Sequence, residues 1–221
     1  MPQARPDMRY IVLSGKSPRS QEGRSLHNLA FDFWKEFWPE VFRENKAYDS
    51  HIDPKQFWRQ DMVTCIMHGG RIVAQHLYTR YDLRSHADRA QSYLQDYSED
   101  FFTSLEKADV SEVMSMEFLA VKSGENGVPK GIPLASTLIK LAFKQQHAQK
   151  IPCMITISRS DNGVTWHLKK VFGMIQVGPE GTMHNTPVAQ LFRTQSEQER
   201  HKSTKDLAQQ LWECQENYQS A

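Results

Sequence analysis

The run SEVMSMEFLAV (Ser111–Val121) and the loop and helix pattern after it have the fewest ways to fold. The run is strand-like and apolar, and it ends in a polar, Gly-marked loop, KSGENGVPKGI. Leu134, Leu138, Leu141 and Ala142 then recur at helical spacing, with Pro133 at a first-turn position, so the spacing predicts a helix over about 133–149. IPCMITISR comes next as a buried-type strand. Strand, loop, helix and strand in quick succession define an α/β chain.

The flanking segments extend the pattern. RYIVLSG reads as a first strand ended by Gly15. SLHNLAFDFWKEFWPEVFREN reads as a helix that Pro39 kinks or divides, with more aromatic surface than one face needs. DMVTCIMHGGRIVAQHLYTRYDL is a hairpin turning at Gly69-Gly70; strict alternation places Ile72, Ala74, His76 and Tyr78 on one side of its second strand. The stretch to Ala108 is polar and helix-compatible. SDNGVTWHLKKVFG reads as a short helix capped by Asp161 or Asn162 and stopped by Gly173. Two strands and a modest amphipathic helix, with Leu207, Leu211 and Cys214 in phase, complete the chain. No repeat or linker divides it, so residues 1–221 read as one domain with N- and C-terminal helical additions.

Composition narrows the function. With 27 Lys and Arg against 26 Asp and Glu, the net charge is +1, which argues against nucleic acid or an anionic membrane as the main partner. No apolar run is long enough to span a bilayer, and no signal-like segment begins the chain, so the reading is a cytoplasmic protein without a membrane span. Cys65, Cys153 and Cys214 are far apart and lack metal-ligand spacing. Cys153, in an apolar strand with no His–Asp partner at hand, reads as a buried core thiol.

The order of elements from Val113 to Phe192 resembles the GNAT acyltransferase fold, a mixed, mostly antiparallel central sheet flanked by helices. Two motifs carry the resemblance. EFLAV followed by VPKGIP is similar to the family's phosphate-binding loop: Gly131 fits, while Val128 and Pro133 depart from its pattern. NGVTWHLKKVFGM places Asn162, Thr165, Leu168 and Gly173 at the family's spacing, with Lys169 where a Tyr is common. In layout the chain is similar to N-acyl amino acid synthases and acyl-homoserine-lactone synthases, which share an aromatic-rich N-terminal segment. SMEFLAV lacks the Arg of the lactone synthases' E-x-x-R-F motif.

The resemblance implies transfer of an acyl group from a thioester to a small-molecule or peptide amine. Acyl-CoA or the phosphopantetheine of an acyl carrier protein is then the co-substrate, with no metal. A helix N-terminus suits the donor's phosphate because its first amides are unpaired. The donor-binding set is Leu119, Val121, Lys130, Gly131, Ile132 and Asn162. Glu117 is the candidate proton acceptor, or else an ion-pair residue partnered by Arg80 or Lys122. Lys169 is the candidate partner of the leaving thiolate, or else a solvated surface lysine. His76, Tyr78 and Trp34 are candidates for the acceptor pocket, although a lone strand His is more often a satisfied core or surface group. The competing readings are a GNAT-shaped binding module without catalysis and an acetyl-CoA-dependent N-acetyltransferase.

Overall fold

The computed structural model describes residues 8–16, 18–122, 132–195 and 207–219. Strand β1 (Met8–Ser14) leads into the long helix α1 (Gln21–Glu44), capped by Ser20, whose side chain accepts from the Gly23 N–H. Pro39 neither ends nor divides α1. It is exposed, as is Lys35 one turn back, so the carbonyl that loses its partner faces water. A short helix α2 (Pro54–Trp58), capped by Asp53, precedes the hairpin of β2 (Met62–His68) and β3 (Arg71–Tyr78). Gly69 and Gly70 turn it with φ of 55° and 76°.

The hairpin corrects the alternation expected from sequence. A β-bulge pairs Ile66 with Ala74 but Met67 with Ile72, leaving Val73 as the extra residue. Ile72 therefore packs with Leu77 on the α1 side, and Val73 joins Ala74 and Tyr78 on the opposite face.

Beyond β3 come β4 (Arg80–Asp82) and three short helices in place of one helix-compatible stretch: α3 (His86–Arg89), α4 (Ser92–Gln95) and α5 (Glu99–Lys107). The side chains of Ser85 and Ser98 each accept a backbone N–H as N-caps and so divide the stretch. The central apolar run likewise forms two strands, β5 (Glu112–Ser115) and β6 (Glu117–Val121), broken at Met116. Helix α6 (Leu134–Ala148), strand β7 (Cys153–Arg159), helix α7 (Val164–Lys170) and the hairpin β8 (Ile175–Met183) and β9 (Thr186–Thr194) come next. Gly163, not Asp161 or Asn162, holds the cap position of α7, although Asn162 Oδ1 still accepts the Val164 N–H at 3.1 Å.

The strands form two sheets. The first has the order β10-β1-β2-β3-β6, where β10 is Glu216–Tyr218, and the second has the order β4-β5-β7-β9-β8. Pairing is antiparallel except for β5 with β7 and β1 with β10. Helix α1 covers one face of the first sheet through Leu26, Ala30, Phe33 and Trp34. Helix α6 covers the other through Leu138, Leu141 and Ala142, against Tyr10, Val12 and Tyr78. Phe101, Phe102 and Leu105 of α5 pack on the second sheet.

The tail departs from the helical addition expected. Helix α8 (Leu207–Glu213) buries Ala208 and Leu211, but the chain then adds β10, parallel to β1. Arg9 Nε donates to Glu216 Oε1 at 2.6 Å across this pair.

The geometry at the two ends of β1 gives two expectations. A Cβ on Gly15 would lie 1.6 Å from the Gln60 carbonyl oxygen, so Gly15→Ala must push apart β1 and the segment after α2. A loss of about 1–3 kcal/mol, typical of overpacking, should appear in urea denaturation. The hydrogen bond from Arg9 holds Glu216 below the usual carboxylate range. The stability this pair adds is therefore complete above the ordinary Glu value of about 4.3 and fades as pH falls through the lower folded value. Amide exchange of β10 should accelerate in that acid window while the amides of β2 remain protected.

Candidate active site

Where β5 becomes β6, the chain changes neighbours. Strands β3 and β4 pair with β6 and β5, with a break at Thr79 and Met116 and a shift in register between Gln75 and Leu77. On the other side β5 pairs with β7, and this contact ends at Met116, whose N–H donates to the Ile155 carbonyl at 2.8 Å. Thr156 Oγ1 donates to the Met116 carbonyl at 2.9 Å. Beyond that point, among the described residues, β6 keeps only β3, β7 keeps only β9, and the strands diverge. Phe118 sits in the divergent stretch with φ of 53°, a left-handed conformation uncommon for an aromatic residue. Its ring lies edge-on to Trp34 and Trp38, at 5.6 and 5.2 Å between centroids.

The divergence opens a cavity of about 390 Å³. One limb is apolar, lined by Met116, Leu119, Ile139, Val164 and Leu168. Trp38, Val41 and Phe42 of α1 wall the opposite side. The turn between β8 and β9, with His184 and Asn185 at φ of 50° and 56°, reaches over to the end of α1. There Asn185 Nδ2 donates to the Asn45 carbonyl at 2.8 Å, and His184 Nδ1 lies 2.8 Å from Ser50 Oγ.

The head of the cavity is a polar cluster around Glu117, which is 4% exposed. Arg59 grips both its carboxylate oxygens, with Nη1 3.1 Å from Oε1 and Nη2 on Oε2. Ser115 Oγ donates to Oε1 at 2.6 Å, and Gln60 Nε2 lies 3.3 Å from Oε2. Arg59 Nη1 also donates to the Tyr81 hydroxyl at 2.6 Å, and its guanidinium lies 5.3 Å from the centre of the Tyr93 ring. Burial opposes the Arg59 charge, but Glu117 outweighs it and holds the guanidinium above its ordinary value. Burial, aided by the Glu117 charge, drives the Tyr81 and Tyr93 phenols upward, so both stay protonated. At the rim, burial raises the Asp96 carboxyl, partly offset by His184 and Arg59.

Of the sequence candidates, Glu117, Leu119, Asn162 and His76 line the cavity. Glu117 takes the ion-pair environment, with Arg59 in place of Arg80 or Lys122. Tyr78 is buried behind His76, its hydroxyl 3.0 Å from His76 Nδ1. Trp34 is fully buried in the core under α1 and does not line the cavity, although its ring meets that of Phe118. Lys169 is exposed and donates to Gln176 on β8 at 2.7 Å, away from the cavity. Val121 and Ile132 pack against the core beneath α6. Lys130 and Gly131 lie outside the described residues. Cys153 is a core thiol, pushed up to about 12 by burial.

Sequence reasoning missed Arg59, Tyr93, Asp96 and His184. For Arg59 the one signal was local: Asp53-Pro54 starts a capped helix too short to extend far past Trp58, which fixes where the next side chain emerges. Its partner, 58 residues away, leaves no periodic trace.

The fold is similar to that of several solved acyltransferase structures. No protein-family model and no curated protein matches the sequence. Solved structures do match the fold. FeeM, an N-acyl amino acid synthase from uncultured soil microbes, superposes with a TM-score of 0.56 at 9% identity, covering 85% of this chain and 90% of its own. The acyl-homoserine-lactone synthase LasI gives 0.54 at 17% identity, covering 84% and 88%. BjaI, a CoA-dependent acyl-homoserine lactone synthase, gives 0.54 at 11% identity, covering 84% and 82%.

The Glu117–Arg59 pair makes the stability of the cavity head testable. Replacing one partner alone, by Glu117→Leu or Arg59→Met, strands the other charge and should cost about 3–5 kcal/mol. Replacing both should be close to neutral. A double-mutant cycle by urea denaturation checks this; two independent, additive losses would contradict a coupled pair.

Proposed function

We propose that this protein is an N-acyltransferase that moves an acyl group from a thioester, carried by CoA or an acyl carrier protein, to an amine. The observation that carries this reading is the divergence of β6 from β7 and the cavity it opens, apolar in one limb and charged at its head. A volume of about 390 Å³ lies within the usual range for small-molecule sites, about 300–1,000 Å³.

In the proposed reaction the amine nitrogen attacks the thioester carbonyl carbon, the C–S bond breaks, and a thiolate leaves. The open edge of β6 supplies hydrogen bonds for the donor. Lys122 N–H bonds the Val73 carbonyl, so the alternation of an antiparallel ladder turns the Leu119 and Val121 amides away from β3. Amides held there can stabilise the charge that grows on the carbonyl oxygen. Glu117 accepts the amine proton, directly or through water, with Arg59 and Ser115 fixing the carboxylate. Helix α6 begins at Leu134 with no side-chain cap, and Lys130 and Gly131 precede it in sequence, a combination suited to the donor's phosphate.

The rival reading, a GNAT-shaped binding module, draws support from Lys169, which turns to Gln176 and leaves the thiolate without that partner. Turnover separates the two.

The wall of Trp38, Val41 and Phe42 favours a donor longer than acetyl. Each buried methylene contributes about 0.8 kcal/mol. A thermal-shift series from acetyl-CoA to palmitoyl-CoA should show stabilisation that climbs and then levels off when the apolar limb is full. Incubation of the best donor with a pool of amines should yield an amide detectable by mass spectrometry. A best response to acetyl-CoA would point to an N-acetyltransferase; tight binding without any amide product would favour the binding module.

A further inference from the structure

The cavity lining includes a buried imidazole that the proposed reaction leaves unused. His76 lines the cavity beside Met116, Leu119 and Ile139, and it is 2% exposed. Its Nδ1 is 3.0 Å from the Tyr78 hydroxyl, whereas Nε2 has no hydrogen-bond partner among the described residues. Burial pulls the imidazole down to about 3, so the ring is neutral near pH 7 and carries one ring proton.

The surrounding bonds bear on where that proton sits. Thr64 has one hydroxyl proton and gives it to the His76 carbonyl at 3.3 Å. Burial drives the Tyr78 phenol well above its ordinary value, so it keeps its proton. That O–H has two acceptors in reach, Nδ1 at 3.0 Å and the Thr64 oxygen at 3.4 Å, and Nδ1 is the nearer. With Nδ1 accepting, the imidazole proton is on Nε2. A ligand that supplies an acceptor gives an Nε2–H the hydrogen bond that no described residue provides.

We infer that the Tyr78 hydroxyl donates to His76 Nδ1 and that the His76 Nε2–H this leaves is a hydrogen-bond donor for an oxygen of the acyl group, beside the apolar lining of Met116, Leu119 and Ile139. This rests on the acyl-transfer reading and adds the chemistry of the donor to it. Two oxygens have that chemistry: the thioester carbonyl, and a keto or hydroxyl oxygen along the chain.

Calorimetric binding and turnover of octanoyl-, β-hydroxyoctanoyl- and β-oxooctanoyl-CoA, on wild type and on His76→Leu and His76→Gln, provide the test. If the partner is a chain oxygen, wild type should prefer the oxygenated chains by about tenfold. His76→Leu should abolish that preference, and His76→Gln, which keeps an N–H, should restore part of it. If the partner is the thioester carbonyl, His76→Leu should lower kcat by about tenfold or more for all three donors while their affinities hold. A His76→Leu protein equal to wild type in both measurements overturns the assignment alone. A wild-type protein that binds none of these acyl groups, either as CoA thioesters or on an acyl carrier protein, overturns the acyl-transfer reading and the assignment with it. Should His76→Leu fail to fold, nitrogen NMR of the wild-type imidazole decides: a proton on Nε2 whose resonance moves on adding the donor supports the assignment, and a proton on Nδ1, or a resonance that stays still, overturns it.

Discussion

The site depends on the change of partner at Met116. A strand in mid-sheet needs two neighbours to satisfy its backbone, and this one has them only as far as the bond from Met116 N–H to Ile155. The left-handed Phe118 and the shift in register against β3 mark the place where regular pairing stops. A strained backbone of this kind persists when its surroundings over-determine it. Here Trp34 and Trp38 hold the Phe118 ring edge-on. The aromatic packing under α1 thus serves the cavity by fixing the residue that separates the strands.

Helix α1 has two tasks along its length. Its N-terminal half closes the core through Leu26, Ala30, Phe33 and Trp34. One helical stripe further on, Trp38, Val41, Phe42 and Asn45 turn to the cavity. The turn between β8 and β9 docks on the end of the same helix through Asn45. The aromatic surplus of this segment is therefore divided between core and cavity wall.

The cavity head has a different logic. Glu117 and Arg59 come from segments 58 residues apart in the chain, and neither charge tolerates burial without the other. Ser115, Gln60 and Tyr81 complete the cluster, so the position of the carboxylate is over-determined. This rigidity suits a group that must meet a reacting amine at a fixed point.

Much of the fold was legible in the chain. The hairpin at Gly69-Gly70, the helix after Pro133 and the strand from Cys153 arise from turn chemistry and periodicity, which act over a few residues. Glu117 stood out as a carboxylate in an apolar run. What the sequence alone did not determine depends on distant partners. Alternation could not foresee the bulge that separates Ile72 from Ala74, because a bulge is set by the register of the opposing strand. The tail has a helical pattern, yet its last strand exists only because β1 offers an unpaired edge. Trp34 and Lys169 have the residue types a site would use, but helical phase sends one into the core and the other to β8. Arg59 has no local mark of its role, since its meaning comes from a carboxylate that only the folded chain brings within reach.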